Sequence, residues 1–475
     1  MRRPGLVLSI LFLLSVPLLN PWVRGDGVGY YAFARALLIQ HNLDFTADYQ
    51  HANPSFRDVR VDASGQPKSA FRTSTGHLDN HFTIGPAILW APFLLVAHAG
   101  VLIARALGSS IPADGFSSPY RFAMAFGTGL YGFLGLFIAF RVARKYVDET
   151  WALLATIGVW AATSLPVYMY LNPSWSHAHS AFMVALFFWY WHETREHRTL
   201  LQWLLLGALS GLMLDVYYPN VTVLAILAAE AFGFYGKALR GNPERAGLLR
   251  LILSHALYIF AALVCLTPTF TTRSIIYGSP FNSGYIPLGL WNWKSPYLLQ
   301  MLFSSDHGLI SWTPLIFLSL LGLVLFWRQV PHVGGPILLA IVAFYYFIAS
   351  YPDWAGISSF GNRFFVSLTI FFVLGLAVLL AQVASHFRRR AAALASVSVL
   401  LACFSLWNFG LMFQWGIHLI PARGAVPWSE IFHNQFFVVP PELSSGIRGY
   451  LFHRKALMRT IEQRDLQQLN QAPSQ

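Results

Sequence analysis

The sequence contains few charged residues. Asp, Glu, Lys and Arg together make up 11% of the 475 residues, whereas an ordinary soluble domain has about 25%. A soluble chain of this size would need more charge to coat its surface. The shortage excludes a cytosolic enzyme and a disordered chain, and it favours a polytopic membrane protein.

Cysteine is nearly absent as well. The chain has two cysteines, Cys265 and Cys403, and both lie in apolar stretches. A secreted disulfide scaffold is therefore excluded. The sequence also lacks a Gly-rich phosphate-binding loop, a Cys/His zinc spacing and a convincing internal repeat.

Long apolar runs are abundant instead. Hydrophobic residues make up 56% of the chain, and the mean hydropathy is +0.51. About 12 runs approach the length of roughly 20 residues that a membrane-spanning helix needs. They cover residues 5–19, 83–107, 120–141, 151–171, 179–192, 200–216, 219–236, 249–270, 308–327, 335–350, 364–385 and 391–412. The predicted fold class is an all-α polytopic membrane protein with about 10–13 transmembrane helices.

The basic residues predict the orientation of these helices. The net charge is +12, but the basic residues form short clusters between apolar runs, which is typical of cytoplasmic loops and not of a nucleic-acid interface. The first run, 5–19, has no small-residue cleavage site after it, so we interpret it as an uncleaved helix with a cytoplasmic N-terminus. We expect a multi-pass protein of the bacterial inner membrane. The predicted inside residues are Arg141, Arg144, Lys145, Arg195, Arg198, Lys237, Arg240, Arg245, Arg250, Arg328, Arg388, Arg389 and Arg390.

One run conflicts with this orientation. If 83–107 crosses the membrane once, the cluster 141–145 falls outside. Two alternatives follow: 83–107 is a re-entrant pair broken near Pro92, or one basic end faces the periplasm.

Two parts of the chain lie outside the predicted spans. Residues 20–82 form a long first periplasmic loop within a membrane domain of residues 1–412, and 28–40 predicts a helix lying on the membrane surface. Residues 413–475 predict an amphiphilic, periplasmic C-terminal region with a helix at 455–469. The first loop holds six of the 20 acidic residues of the chain, namely Asp26, Asp44, Asp48, Asp58, Asp62 and Asp79.

Asp26 is the first candidate for chemistry, because it directly follows the first helix at the outer membrane surface. A carboxylate there can bind a divalent cation or accept a proton from a hydroxyl group. The alternative is that Asp26 only caps the helix that follows it.

A first helix followed by an acidic residue that opens a juxtamembrane helix resembles the GT-C superfamily, whose members are polytopic glycosyltransferases. The closer resemblance is to the protein-mannosyltransferase and ArnT-like type, including the RgtA/B/C/D-like proteins. Three further stretches, 82–92, 141–166 and 351–363, also resemble segments of these proteins. The resemblance therefore covers most of the first 385 residues. Many members have two adjacent acids in the first loop, whereas Gly27 follows Asp26 here.

The resemblance implies transfer of a sugar, with inversion, from a polyprenyl-phosphate-linked donor to a lipid, glycan or protein acceptor at the periplasmic face. It implies that Asp26 is the catalytic base. Arg363 is the candidate for binding the donor phosphate, because Arg binds phosphate through two parallel hydrogen bonds and stays charged. The alternative for Arg363 is a side chain that snorkels to the interface.

Further site candidates come from the outside connections. Tyr30, Asp215, Asp353 and Trp354 are candidate substrate-binding residues, although Asp215 could be a cap and Trp354 an interfacial anchor. The possible cofactor is a divalent metal cation. Its candidate ligands are Asp26, His177 and His179, and the i, i+2 spacing of the two histidines suits an extended turn.

Two other functions stay open at this point. A transporter or lipid flippase is one alternative, but such proteins usually show internal repeats and charges near the bilayer midplane. A non-catalytic relative of the GT-C proteins is the other, because the second acid after Asp26 is missing. The predicted partners are the polyprenyl-phosphate sugar donor, the acceptor and membrane lipids of the cell envelope, without nucleic acid.

Overall fold

The computed structural model describes residues 3–240, 245–421 and 423–471. These parts are helical and contain no β-strand, apart from two isolated β-bridges, Val61 with Pro67 and Arg72 with Leu78. The first helices are α1 (Pro4–Ser15), α2 (Asp26–Arg35), α3 (Thr46–Gln50), α4 (Pro54–Arg60), α5 (Gly85–Ala106), α6 (Ser118–Ala143), α7 (Glu149–Ala161), α8 (His177–Thr194), α9 (Leu200–Val216), α10 (Ala225–Arg240) and α11 (Arg245–Cys265). The later ones are α12 (Thr267–Tyr277), α13 (Leu298–Phe303), α14 (Leu309–Trp312), α15 (Leu315–Gln329), α16 (Pro331–Ser350), α17 (Thr369–Ala384), α18 (Arg390–Gly416), α19 (Trp428–His433), α20 (Val439–Phe452) and α21 (Arg454–Gln471).

Many of these helices suit a bilayer. Within the described ranges, seven helical segments are long and apolar enough to cross a membrane, and three shorter apolar helices accompany them. The predicted all-α polytopic membrane fold is confirmed. The segment Arg363–Ala384 is the most buried of the seven, because α17 packs among α6, α7, α8 and α15.

Helix α5 explains the conflict at 83–107. It is one continuous helix with Pro92 inside it, so the alternative of a pair of helices broken near Pro92 is wrong. The connection that follows α5 nevertheless contacts the first loop: Phe116 stacks on His51 with ring centroids 4.2 Å apart, and Tyr31 donates a hydrogen bond to the Gly115 carbonyl at 2.6 Å. Both ends of α5 therefore lie on the side of the first loop, and its length and apolarity alone do not make it a crossing.

The basic cluster 141–145 consequently lies at the end of the bundle that the charge pattern predicts. Lys145 forms an ion pair with Glu193, near the end of α8 that is far from the first loop. Arg390, from the predicted inside run 388–390, pairs with Asp148 at 3.0 Å. The two basic clusters thus share one end of the bundle, as cytoplasmic clusters should.

The helix in the first loop differs from its prediction. Residues 28–40 were expected to lie on the membrane through one apolar side, but every residue of α2 from Gly27 to Arg35 is buried inside the protein. Arg35 pairs with the buried Asp48 at 2.5 Å, and Asn80 donates a hydrogen bond to the Gly29 carbonyl at 3.0 Å. The polar remainder of the loop covers α2, which the apolar pattern alone could not indicate.

The C-terminal region lies at the end of the bundle where the first loop is. Helix α21 packs against α4 in the first loop, whereas α19 and the turns after it keep large aromatic side chains exposed. Phe432, Phe436 and Phe437 are 48%, 61% and 71% exposed. Exposed apolar rings on a segment that is not itself a span are typical of a segment that lies in the membrane interface.

We predict that Gly375→Ala lowers the melting temperature of the purified protein in detergent. Helices α15 and α17 approach so closely that a Cβ on Gly375 would lie 2.1 Å from the Ser319 carbonyl oxygen. Neither backbone can yield without separating the helices, and such overpacking costs about 1–3 kcal/mol. Gly100→Ala is the control, since a Cβ there meets nothing within 4 Å. A variant Gly375→Ala as stable as the control would contradict this packing.

Candidate functional site

An ion pair joins the first loop to the entry of the most buried segment. Asp26 is the first residue of α2, and Arg363 begins the 3-10 turn Arg363–Leu368 that leads into α17. The Arg363 Nη1 lies 3.0 Å from the Asp26 Oδ2, with the two side chains 11% and 34% exposed. The N-cap of α2 is Gly25 and receives no side-chain cap. Asp26 therefore does not cap the helix but faces the residue that the sequence singles out as the phosphate binder.

Aromatic rings fix the guanidinium of Arg363. Its central carbon lies 4.5 Å from the centroid of Trp175 and 5.5 Å from that of Phe364. Trp175 is itself held, because its indole N–H donates a hydrogen bond to the Arg24 carbonyl at 3.1 Å. A guanidinium that rests on a ring keeps its hydrogen-bonding edge free for an anion.

Polar atoms around this ion pair are buried without a hydrogen-bond partner among the described residues. Buried polar groups are normally satisfied, so a cluster of unsatisfied ones fits a site that receives a polar ligand. The atoms are Ser174 Oγ, His177 Nδ1, Tyr217 Oη, Asn362 Oδ1 and Arg363 Nε.

Tyrosines line the same region and remain protonated. Burial, together with the negative charge of Asp26, raises the pKa of Tyr30 to about 12, and its hydroxyl accepts a hydrogen bond from Ser176 at 3.0 Å. Burial and the charge of Asp353 raise the pKa of Tyr351 to about 12, and burial raises that of Tyr285 well above its usual value. At neutral pH these phenols can donate hydrogen bonds to sugar or phosphate oxygens.

Asp353 and Trp354 lie on the segment that leads to Arg363. The Tyr351 hydroxyl lies 3.4 Å from the Asp353 carboxylate. Asn362, beside Arg363, donates a hydrogen bond to the Trp354 carbonyl at 3.2 Å. The structure therefore places both candidates on a turn fixed next to the ion pair, with one face of the Trp354 ring stacked on Tyr297.

Asp215 lies elsewhere. It is fully buried at the end of α9 and accepts a hydrogen bond from Thr269 of α12. Its backbone lies so close to the start of α5 that a Cβ on Gly85 would be 2.5 Å from the Asp215 carbonyl oxygen. In the structure Asp215 lies between these three helices and not beside Asp26.

The two histidines do not converge either. Residues 177–180 begin α8, so the predicted extended turn is wrong, and the rings have different neighbours. The His177 ring lies 4.7 Å from that of Tyr168, and the His179 ring lies 5.0 Å from that of Trp90.

These positions do not fit the predicted metal centre. The described part of the chain contains no group of three or more His, Cys, Asp or Glu that could hold a metal ion. The neighbour of Asp26 is the cation Arg363, which repels a metal ion and competes for the same carboxylate oxygen.

Arg273 is a candidate that the sequence reasoning missed. Its guanidinium carbon lies 4.4 Å from the centroid of Tyr218, and its Nη2 is buried without a hydrogen-bond partner in the described ranges. The Tyr218 ring contacts that of Tyr285, one of the site tyrosines, at 6.3 Å. The available signal was an arginine shortly after the apolar run 249–270, in the connection before the run 308–327. The charge pattern predicts that this connection lies outside, where basic residues are scarce.

The comparisons with known proteins agree with this architecture. No family model matches the chain, and no curated protein matches it in sequence. Among solved structures, the chain is similar to ArnT from Cupriavidus metallidurans bound to undecaprenyl phosphate, with 14% identity, a TM-score of 0.50, and coverage of 97% of this chain and 72% of that one. The apo structure of the same protein matches with 11% identity, a TM-score of 0.46, and coverage of 97% and 76%. The likeness to the undecaprenyl phosphate complex shows that the chain has an ArnT-like fold, in agreement with the resemblance seen in the sequence.

We predict that Gly27→Ala reduces function at this site, and that Ser174→Gly in the same protein restores part of it. A Cβ on Gly27 would lie 1.9 Å from the Ser174 Oγ and 2.5 Å from its Cβ, so either α2, which carries Asp26, or the connection at Ser174, which precedes Trp175, must shift. The close approach also explains why no second acid follows Asp26. Transfer activity and melting temperature would both be measured. Equal activity of Gly27→Ala and the wild type would show that α2 does not pack this closely.

Proposed function

We propose that the protein transfers a sugar from a polyprenyl-phosphate-linked donor to a hydroxyl group of a lipid, glycan or protein acceptor at the periplasmic face of the inner membrane. The observation that carries this proposal is the ion pair of Asp26 and Arg363, surrounded by buried polar atoms that have no hydrogen-bond partner in the described part of the chain. The likeness to a protein solved with undecaprenyl phosphate supports the class of donor.

The pair supplies the two groups that the reaction needs. The acceptor oxygen attacks the anomeric carbon and forms the new glycosidic bond, while Asp26 takes the hydroxyl proton. The bond between the anomeric carbon and the phosphate oxygen breaks with inversion, and polyprenyl phosphate leaves with the electron pair. Arg363 stabilises the charge that develops on that phosphate. Arg273 provides a second cation on the same side of the site.

The arriving phosphate also changes the ion pair. A phosphate competes with Asp26 for the guanidinium, because both are anions that bind its N–H groups. The carboxylate released in this way can approach the acceptor hydroxyl. Donor binding would thus prepare the base for the acceptor.

We place the prenyl tail of the donor in an apolar cavity of about 640 Å3 between α1, α7, α18 and α20. Its lining is almost entirely aliphatic or aromatic, and Arg24, two residues before Asp26, lies at its edge. A larger cavity of about 1120 Å3, between the first loop and α21, has a mixed polar lining. Neither lining includes Asp26 or Arg363.

We predict that Asp26→Asn lowers sugar transfer about 100-fold or more, the usual effect of losing a general base. Arg363→Ala should lower transfer to a similar degree, and Arg363→Lys should retain part of it because the charge remains. The measurement is transfer from a synthetic polyprenyl-phosphate sugar by protein in nanodiscs. Asp58→Asn is the matched control, since Asp58 is an exposed acid of the same loop.

Two results would contradict this assignment. One is wild-type transfer by both folded variants. The other is uptake or flipping of the lipid in liposomes without any transfer, which would favour the transporter alternative.

We also predict that Gly416→Leu raises the KM for a long-chain donor several-fold and leaves a donor with a short prenyl chain unaffected. Gly416 lines the apolar cavity, and a Cβ there meets nothing within 4 Å. The leucine can therefore fill the cavity without strain and exclude the tail. Gly100→Leu, an equally open helical site outside the cavity, is the control. Equal KM values for the long-chain donor would place the tail elsewhere.

A further inference from the structure

We propose that Glu462 and Asn53 are positioning residues, through which the C-terminal helix α21 fixes the Asp26 carboxylate. This inference rests on the proposed function, because it assigns a role to the residues behind Asp26. None of the sequence candidates lies in this network. It joins the last described helix to the first loop.

The link begins at a buried carboxylate. Glu462 is 6% exposed, although acids on a C-terminal helix usually face water. Both its oxygens accept hydrogen bonds from the Asn53 amide nitrogen at 3.1 Å, and one accepts the Ser55 backbone N–H at 2.5 Å. A buried carboxylate with three such contacts is satisfied by the first loop and therefore holds it.

Asn53 connects Glu462 to the start of α2 through hydrogen bonds. With its amide nitrogen engaged by Glu462, its Oδ1 faces the other way and accepts the Gly25 backbone N–H at 3.1 Å. Gly25 is the N-cap of α2 and has a positive φ of 53°, a conformation that glycine adopts readily. The direction of the Asp26 side chain follows from this single turn, because Asp26 comes directly after it.

A second contact from α21 holds the other flank. Asp465 lies three residues after Glu462, on the same face of the helix, and forms an ion pair with Arg24. His418 contacts the other oxygen of Asp465 at 2.7 Å. The Arg24 carbonyl accepts the indole N–H of Trp175, the ring under Arg363. Helix α21 thus holds both sides of the turn that carries Asp26.

The arrangement predicts a specific pattern of effects. In Glu462→Ala and Asn53→Ala, hydrogen exchange of backbone amides around residues 24–28 should become about tenfold faster, because the hydrogen bond that protects Gly25 is lost or loosened. The kcat for transfer should fall about tenfold or more, since small misplacements of a catalytic group are costly. The KM for the donor should change little, because the variants leave Arg363 in place. Glu462→Gln should give intermediate values, since its amide oxygen can still accept the Ser55 N–H.

The experiment combines hydrogen exchange followed by mass spectrometry with steady-state kinetics of the full chain in nanodiscs. Gln463→Ala, an exposed neighbour on the same helix, is the control. The effects of Glu462→Ala and Asn53→Ala on kcat and on exchange should not add when the two are combined, because both interrupt the same series of hydrogen bonds.

Two outcomes would overturn the inference. Unchanged exchange at residues 24–28 with unchanged kcat is the first. A uniform rise in exchange over the whole first loop, with kcat and KM affected equally, is the second, because it would indicate only a structural role. The proposed function is judged separately: wild-type transfer by Asp26→Asn would refute it, while the exchange result would still show whether α21 restrains the turn.

Discussion

The ion pair between Asp26 and Arg363 is the constraint on which the rest of the architecture depends. Two charges brought together in a mostly buried site lose water, and only good geometry and nearby polar groups compensate for this loss. The protein supplies them from distant parts of the chain. Asp26 comes from the first loop, Arg363 from the entry to the most buried segment, and Trp175 from the connection before α8.

The ion pair explains several features that otherwise have no connection with one another. Helix α2 is buried on all sides, which is unusual for a helix in a long outside loop, but a buried helix keeps its first residue in one position. Gly27 allows α2 to approach Ser174, and so it matters for where Asp26 points. The absence of a second acid is thus compatible with a working site of a different composition, in which a cation takes the place beside the first acid.

The membrane fold and the two charged residues of the site could be predicted from the sequence, because both depend on local patterns of apolar and charged residues. Apolar runs of sufficient length and clusters of basic residues predict the membrane fold and its orientation, and the structure confirms the fold. Asp26 and Arg363 could each be chosen as charges at the outer ends of apolar runs. Their contact could not be predicted, because the sequence does not show which helices are neighbours. The resemblance to GT-C proteins implied that both belong to one site, and the ion pair brings them together.

The remaining differences also have physical causes. Helix α5 is as apolar as a crossing helix, yet it starts directly after the first loop and the connection that follows it returns to contact that loop. Hydropathy cannot distinguish such a helix from a crossing one. The spacing of His177 and His179 carried no information on whether the chain there is extended or helical. Arg273 and Glu462 were not considered because their significance arises from burial, which depends on the tertiary structure.

The exposed rings of Phe432, Phe436 and Phe437 have a consequence for the lipid environment. Apolar rings exposed in this way favour a position at the headgroup boundary, so we expect the C-terminal region to follow that boundary. Helices α20 and α21 follow directly in the chain, and α21 contacts the first loop. The thickness of the bilayer should therefore affect the contact between α21 and the first loop, because membranes of different lipid chain length should shift the C-terminal region relative to the helix bundle.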